Sequence, residues 1–288
     1  MKLNWIGAAL LGLGLTGTQA AHAADGKLLL TGGVSSIDGA AGGGLTPWAL
    51  TGSYANPGEV GGTAFATRVQ TQDYALNDYG AALTVSDRVE LSIARQEFDT
   101  QNAGAALGLG AGFKFKQNII GVKVRLAGDA VLDSDSWMPQ VSVGALYKHN
   151  EQGNVVRLVG AKDDTGTDFY VSATKLFLGQ GLLVNGTLRA TKANQNGLLG
   201  FGGDRNNSYS FEPEVSVAYV LRKDVAVGAE YRAKPNNLGF AREQDWNDVF
   251  VAWAPSKHLS ITAAYANLGD IATFKNQRGW YLSAQLAI

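Results

Sequence analysis

Apolar and polar positions alternate with a period of two along most of this chain. Val89, Leu91 and Ile93 alternate with Glu90, Ser92 and Ala94, and Ile120, Val122, Val124 and Leu126 alternate with Gly121, Lys123 and Arg125. The same rhythm places Val141, Val143, Ala145 and Tyr147 on one face, then Leu182, Val184, Leu188 and Ala190. It continues through Val215, Val217, Tyr219 and Leu221, through Val225, Val227, Ala229 and Tyr231, and through Val249, Val251 and Trp253. Leu259, Ile261, Ala263 and Tyr265 follow, and Trp280, Leu282, Ala284, Leu286 and Ile288 end the sequence. Successive side chains of a strand point to opposite faces, so each run predicts a strand with one apolar and one small or polar face. Lipid outside and a polar lumen inside impose that division on a membrane barrel.

Connector lengths order these strands. Ser86-Asp87, Gly179-Gln180, Arg222-Lys223-Asp224 and Pro255-Ser256-Lys257-His258 are short, whereas 99–113, 150–166, 193–207, 233–245 and 268–278 are long and fall between them. Bacterial barrels have short periplasmic turns and longer external loops, which predicts a periplasmic C-terminus. The connector 128–139 is long yet must be periplasmic, and 155–160 is counted as loop or helix to keep the up-down order. The expected fold is an all-β transmembrane antiparallel up-and-down barrel of 12 to 14 strands, with 14 favoured if 27–35 and 48–54 both pair. Aromatic residues near the predicted strand ends, including Trp48, Tyr54, Tyr79, Trp137, Tyr147, Trp246, Trp253, Tyr265 and Trp280, fit interfacial girdles.

Composition narrows the class. The 288 residues include 37 glycines and no cysteine, with 17% charged residues, a net charge of −1 and a mean hydropathy of −0.04. Without cysteine there is no disulfide, thiolate metal site or lipoprotein anchor. The near-neutral charge gives no basic stripe for nucleic acid. Lys2, the apolar run 5–15 and the small-x-small triplet Ala21-His22-Ala23 read as a secretory signal peptide over 1–23, followed by a single barrel domain over 24–288. The later apolar runs fall short of the roughly 18 residues of a spanning helix, so membrane crossing falls to strands. The expected location is the outer membrane of a Gram-negative bacterium, in contact with its lipid and lipopolysaccharide. The glycine cluster from Gly32-Gly33 to Gly42-Gly43-Gly44 either turns tightly or folds into the lumen as a small plug.

Strand parity selects the candidate lumen-lining or gating residues: Arg68, Glu90, Lys123, Arg125, Arg189, Glu212, Glu214, Glu230 and Arg232. In a wide lumen, opposed basic and acidic groups set a transverse field that acts on passing solutes; in a narrow one they pair and fill it. Arg95 and Lys175 fall on the outward parity near strand ends, where long side chains snorkel. No catalytic residue, cofactor or metal is assigned. His149 and His258 are the histidines left after the signal peptide, and His258-Leu259-Ser260 falls at a periplasmic turn. The glycine run Gly108 to Gly112 lacks the context of a phosphate loop. Asp133-Ser134-Asp135 and the run Asp163-Asp164-Thr165-Gly166-Thr167-Asp168 offer oxygen ligands but complete no calcium loop; the second, at a loop tip, could bind cations bridging lipopolysaccharide.

Gln277-x-Gly279-x-x-Leu282-x-Ala284 resembles the final-strand signal read by barrel-assembly machinery, although Ile288 stands where such strands usually end in an aromatic residue. Further motifs resemble a proteobacterial family described only as a domain of unknown function, DUF3034. They are Leu30-Thr31-Gly32-Gly33-Val34-Ser35-Ser36-Ile37, Gly42-Gly43-Gly44-Leu45-Thr46-Pro47-Trp48-Ala49, Gly200-Phe201-Gly202-Gly203-Asp204, Tyr231-Arg232-Ala233-Lys234-Pro235-Asn236-Asn237-Leu238-Gly239-Phe240 and Ile271-Ala272-Thr273-Phe274-Lys275. That resemblance implies a Gram-negative envelope protein and supplies no substrate or site residues. The leading expectation is a non-enzymatic passive channel or uptake pore for small solutes. A closed structural or recognition barrel working through its loops, and an envelope lipid hydrolase, stay open beside it.

Overall fold

A computed structural model describes residues 29–30, 34–131 and 137–288. The expected signal peptide and the Asp133-Ser134-Asp135 motif lie outside these residues, as does much of 27–35. Twelve strands form one closed antiparallel sheet. They are β1 (Val60–Gln70), β2 (Ala75–Val85), β3 (Val89–Asp99), β4 (Lys114–Ala127), β5 (Gln140–Asn150) and β6 (Thr165–Phe177). The second half comprises β7 (Leu182–Thr191), β8 (Ser210–Arg222), β9 (Val225–Arg232), β10 (Trp246–Ser256), β11 (Leu259–Asn267) and β12 (Arg278–Ala287). Each strand pairs with its neighbours in sequence, and β12 returns to β1 with Trp280 opposite Gln70 and Ala287 opposite Thr63. Ile288 and Gly62 exchange backbone hydrogen bonds of 2.9 and 3.0 Å and finish the seam. Closure leaves no free strand edge.

The strand number is 12 because 48–54 does not join the sheet. The predicted alternation is visible on each wall: Leu91, Ile93, Ile120, Val171, Val217, Val249 and Val251 are exposed outside, while Glu90, Ser92, Lys123, Ser172, Ser216 and Asp248 are buried inside. Tyr79, Tyr147, Trp253, Tyr265 and Trp280 face outward, with the Tyr265 and Trp280 rings packed edge to face at 5.2 Å. Trp48, Tyr54 and Trp246 are corrections to the girdle, because all three are buried.

Connectors 86–88, 178–181, 223–224 and 257–258 share one end of the barrel with the longer 128–139. The other end carries 71–74, 100–113, 151–164, 192–209, 233–245 and 268–277. Two short helices lie among these, α1 (Ala103–Ala106) and α2 (Gly153–Leu158), so the 155–160 stretch starts as helix rather than strand. Lys175 does not snorkel. It is buried, and its Nζ donates to the carbonyls of Asp129 and Met138 in the 128–139 connector.

Eight-stranded barrels are filled by their own side chains and barrels of 16 or more strands hold open channels; twelve strands lie between, with a lumen wide enough to take in a segment of chain. Residues 34–55, which precede β1, occupy it, and 57–59 are exposed beyond them. Every residue from Ser35 to Ala55 is buried, and the segment turns back on itself through the bridges Ser35–Ala41 and Gly42–Pro47. The Gly42 and Gly43 backbones lie too close to their surroundings for a side chain: a Cβ on Gly43 would stand 1.9 Å from Glu230 Oε1.

Candidate functional site in the barrel lumen

The segment is held by charges on the wall. Asp38 is fully buried and sits among three cations: Lys148 Nζ at 3.0 Å, Arg189 Nη2 at 3.2 Å and Arg232 Nη1 at 3.0 Å. Asn196 Nδ2 donates to the same carboxylate at 2.9 Å. Burial alone would raise the Asp38 carboxyl, but Arg232, Lys148 and Arg189 hold it well below the usual carboxylate range. Asp168 and Glu214 complete the network, Asp168 reaching Lys148 at 2.9 Å and Glu214 reaching Arg189 at 2.5 Å. Gln195 and Asn196, at φ 44° and 60°, bring the β7–β8 connector down into this layer. Asn196 Oδ1 accepts from Lys148 at 2.5 Å and Arg232 at 2.7 Å. Left-handed backbone is costly for residues other than glycine, and here the buried contacts of Asn196 compensate for it.

Two further anchors lie along the segment. Glu90 accepts from the Ala41 and Gly52 amides at 3.0 and 2.7 Å, while Lys123 Nζ donates to the Ala41 and Leu50 carbonyls at 2.8 Å each. These two side chains also pair with each other at 3.2 Å. Glu230 accepts from the Leu45 amide and the Thr46 and Ser216 hydroxyls, each at 2.7 Å. Between the anchors, Ser142 and Gln140 donate to the Ala49 carbonyl and Thr187 donates to the Pro47 carbonyl. The polar groups of this glycine-rich segment therefore find partners on the wall, as buried backbone groups must.

These contacts are one-sided. They come mainly from β3 through β9; outside that arc Thr51 donates to Asp87 in the β2–β3 turn at 2.6 Å and Ser35 donates to Gln285 of β12 at 2.5 Å. On the opposite wall Asp78 of β2, Asp248 of β10 and Tyr281 of β12 are buried, and their side-chain oxygens make no well-formed hydrogen bond among the described residues. Among the described residues, the buried charges of strand lumen faces and segment are Lys123, Lys148, Arg189 and Arg232 against Asp38, Asp78, Glu90, Asp168, Glu214, Glu230 and Asp248.

Of the nine residues selected by parity, Glu90, Lys123, Arg189, Glu214, Glu230 and Arg232 are buried in the lumen. Arg125 lies partly exposed at the short-turn rim, paired with Asp87 and with Asp129. Glu212 is half-buried near the long-connector end. Arg68 is a correction: it is exposed on the outer face, its guanidinium on Asn77 and Gln70. Thr67 and Val69 face inward instead, and Arg68 lies near a strand end where a long side chain reaches polar surroundings. Asp168 is a second correction, since it belongs to the lumen network rather than to a cation-binding loop tip. Asp38, Asp78, Lys148, Asn196 and Asp248 were not selected from sequence, although Asp78, Lys148 and Asp248 lie on the inward parity of their strands. His149 is exposed on the outer face, and His258, also exposed, has Nδ1 2.9 Å from the Ala287 carbonyl.

The fold and lumen define a twelve-stranded up-and-down barrel of the outer-membrane kind, occupied by its own N-terminal segment. The chain matches the family described as "Protein of unknown function (DUF3034)" over residues 31–285 and belongs to it. The motifs that carry the resemblance meet in space: Asp204 Oδ1 accepts from the Gly239 amide at 2.7 Å, and Arg232 binds Asp38, the residue following Ile37. No curated protein matches the chain. Among solved structures it is similar to the KdgM porin in complex with disordered oligogalacturonate, with a TM-score of 0.51, 10% identity, and coverage of 78% of this chain and 98% of that one. The COG4313 outer membrane channel from Pseudomonas putida F1 follows at 0.47 and 10%, over 82% and 96% of the two chains. Outer membrane phospholipase A from Escherichia coli follows at 0.43 and 10%, over 80% and 93%. At such identities the likeness is one of fold, and function must be argued from the site.

Proposed function

We propose that this protein is an outer-membrane channel for small solutes whose lumen is shut by residues 34–55 and opens when that segment withdraws. The observation that carries this reading is the way the segment is held. Wall side chains hold it by hydrogen bonds and ion pairs to its backbone and to Asp38, and its Ile37, Leu45, Trp48 and Leu50 pack against Leu176, Leu183 and Phe250 of the wall, with none of these contacts part of a strand ladder. Such a segment can leave without unfolding the sheet, because no strand hydrogen bond is broken.

In this reading the short turns face the periplasm, from which the segment enters ahead of β1, and the long connectors face outward. Removal of Asp38 leaves six buried acidic groups against four basic ones on the wall, which favours cations and neutral solutes over anions. The KdgM porin is bound to oligogalacturonate, an acidic polymer, and this acidic wall does not support a shared ligand. A lipid hydrolase has no support in the exposed, outward-facing His149. The closed-barrel alternative is favoured by the same filled lumen, and the two readings part on whether the segment moves. Vesicle swelling tests this: a chain lacking residues 24–55 admits small neutral sugars that the intact chain admits slowly, whereas equal impermeability of both would favour the closed barrel.

A further inference from the structure

Above the charged layer, at the end bearing the long connectors, lies a cavity of about 110 Å3. All six connectors of that end contribute to its lining, which includes Tyr74, Leu109, Val155, Leu199, Phe240 and Ile271. Strand ends complete it with Leu76, Phe98, Phe115 and Trp246. No charged residue is part of the lining. Lys234, the cation nearest the Trp246 ring at 4.6 Å, pairs with Glu243 at 3.5 Å. An apolar hollow built by six separate connectors at a solvent-facing mouth is unusual, since apolar surface there gains nothing from water. Trp246 adds a second observation: its ring lines the cavity, and its indole N–H is buried without a well-formed hydrogen bond, which costs free energy.

We infer that this cavity is a binding site for a small, uncharged, largely apolar molecule of about the size of one substituted ring, captured before it meets the plug. An apolar cavity of roughly 150 Å3 stays dry and accepts benzene or xenon, and this one, about a quarter smaller, limits its occupant to a single ring. The site deepens the channel reading by naming a solute class, yet binding at the mouth does not require the plug to move. A second cavity of about 330 Å3 lies beyond the charged layer, between Leu176, Leu183, Phe250 and Ala252 of the wall and Val34 and Trp48 of the segment.

The test is quenching of tryptophan fluorescence by bromobenzene, with the full-length protein in lipid nanodiscs. The expected result is a saturable component superimposed on the linear quenching caused by partition into lipid, absent in Trp246→Phe. Because that change removes the reporter along with part of the lining, Leu199→Phe/Leu268→Phe provides the second variant. It keeps Trp246 and fills the cavity, and its half-saturation should weaken at least tenfold while heat-modifiable gel migration shows an intact barrel. Linear quenching alone in the unmodified protein would overturn the site, and so would unchanged saturation in the filled variant. Saturable binding in a protein whose plug-deleted form never conducts would uphold the site and refute the channel.

Discussion

Asp38 and Arg232 meet at 3.0 Å inside the barrel although 194 positions separate them in the chain. One belongs to the segment that fills the lumen and the other ends β9, so this contact reports directly on whether the segment is seated. Lys148 and Arg189 share the same carboxylate, and the segment's position therefore depends on one anion among three cations.

Replacing that anion is the sharpest local perturbation. Asp38→Ala leaves the cations with Asp168 and Glu214 alone, and loss of one partner from a buried network costs about 3–5 kcal/mol. The barrel keeps its strand pairing, so the expected outcome is a heat-modifiable, folded protein whose residues 34–55 become open to protease. Protection equal to that of the unmodified protein would show that the other anchors suffice.

Acid should act through the same residue. The folded value of Asp38 lies below its ordinary value of 3.8, so its contribution is fully present above that value and is lost as pH falls through the folded one. Between about pH 5 and 8 the segment should stay protected, and protection should decline below about pH 4. Protease protection measured across this range checks the sign, and Asp38→Asn should remove Asp38's part of the acid dependence.

Glu90 and Lys123 offer a test of coupling. Lys123→Met strips the cation from a buried carboxylate that still accepts from Ala41 and Gly52, whereas Glu90→Gln with Lys123→Met removes both charges. The double variant should be more stable than the sum of single effects predicts, by about 1–3 kcal/mol. Urea unfolding of the four proteins in vesicles gives the number.

Gly43→Ala displaces the segment without altering any charge. Its Cβ would fall 1.9 Å from Glu230 Oε1, and overpacking of this kind costs about 1–3 kcal/mol. Increased protease access to residues 34–55, with unchanged migration of the folded barrel, is the expected result.

The barrel was legible because lipid on one side and a polar interior on the other force a two-residue alternation, as in Leu282, Ala284 and Leu286 against Tyr281, Ser283 and Gln285. The same rule located Arg189, Glu214, Glu230 and Arg232. It failed at Arg68, since a charged residue near a strand end can face outward where head groups receive it. The plug was only half legible: glycine density admitted a folded-in segment, but nothing local in Asp38 names partners more than a hundred positions away. Asn196 was hidden for a different reason, because its role depends on a left-handed backbone that brings a loop into the lumen. Trp48, Tyr54 and Trp246 read as girdle residues because an aromatic near a strand end looks the same whether it faces lipid or lumen.

The account stands or falls on the segment as a closure. Single-channel recording in planar bilayers compares the intact chain with one lacking residues 24–55, after gel migration has shown both to be folded. The account predicts few or brief openings for the intact chain and large, steady, cation-preferring current steps for the shortened one. A shortened barrel that is folded, inserted and electrically silent would contradict it.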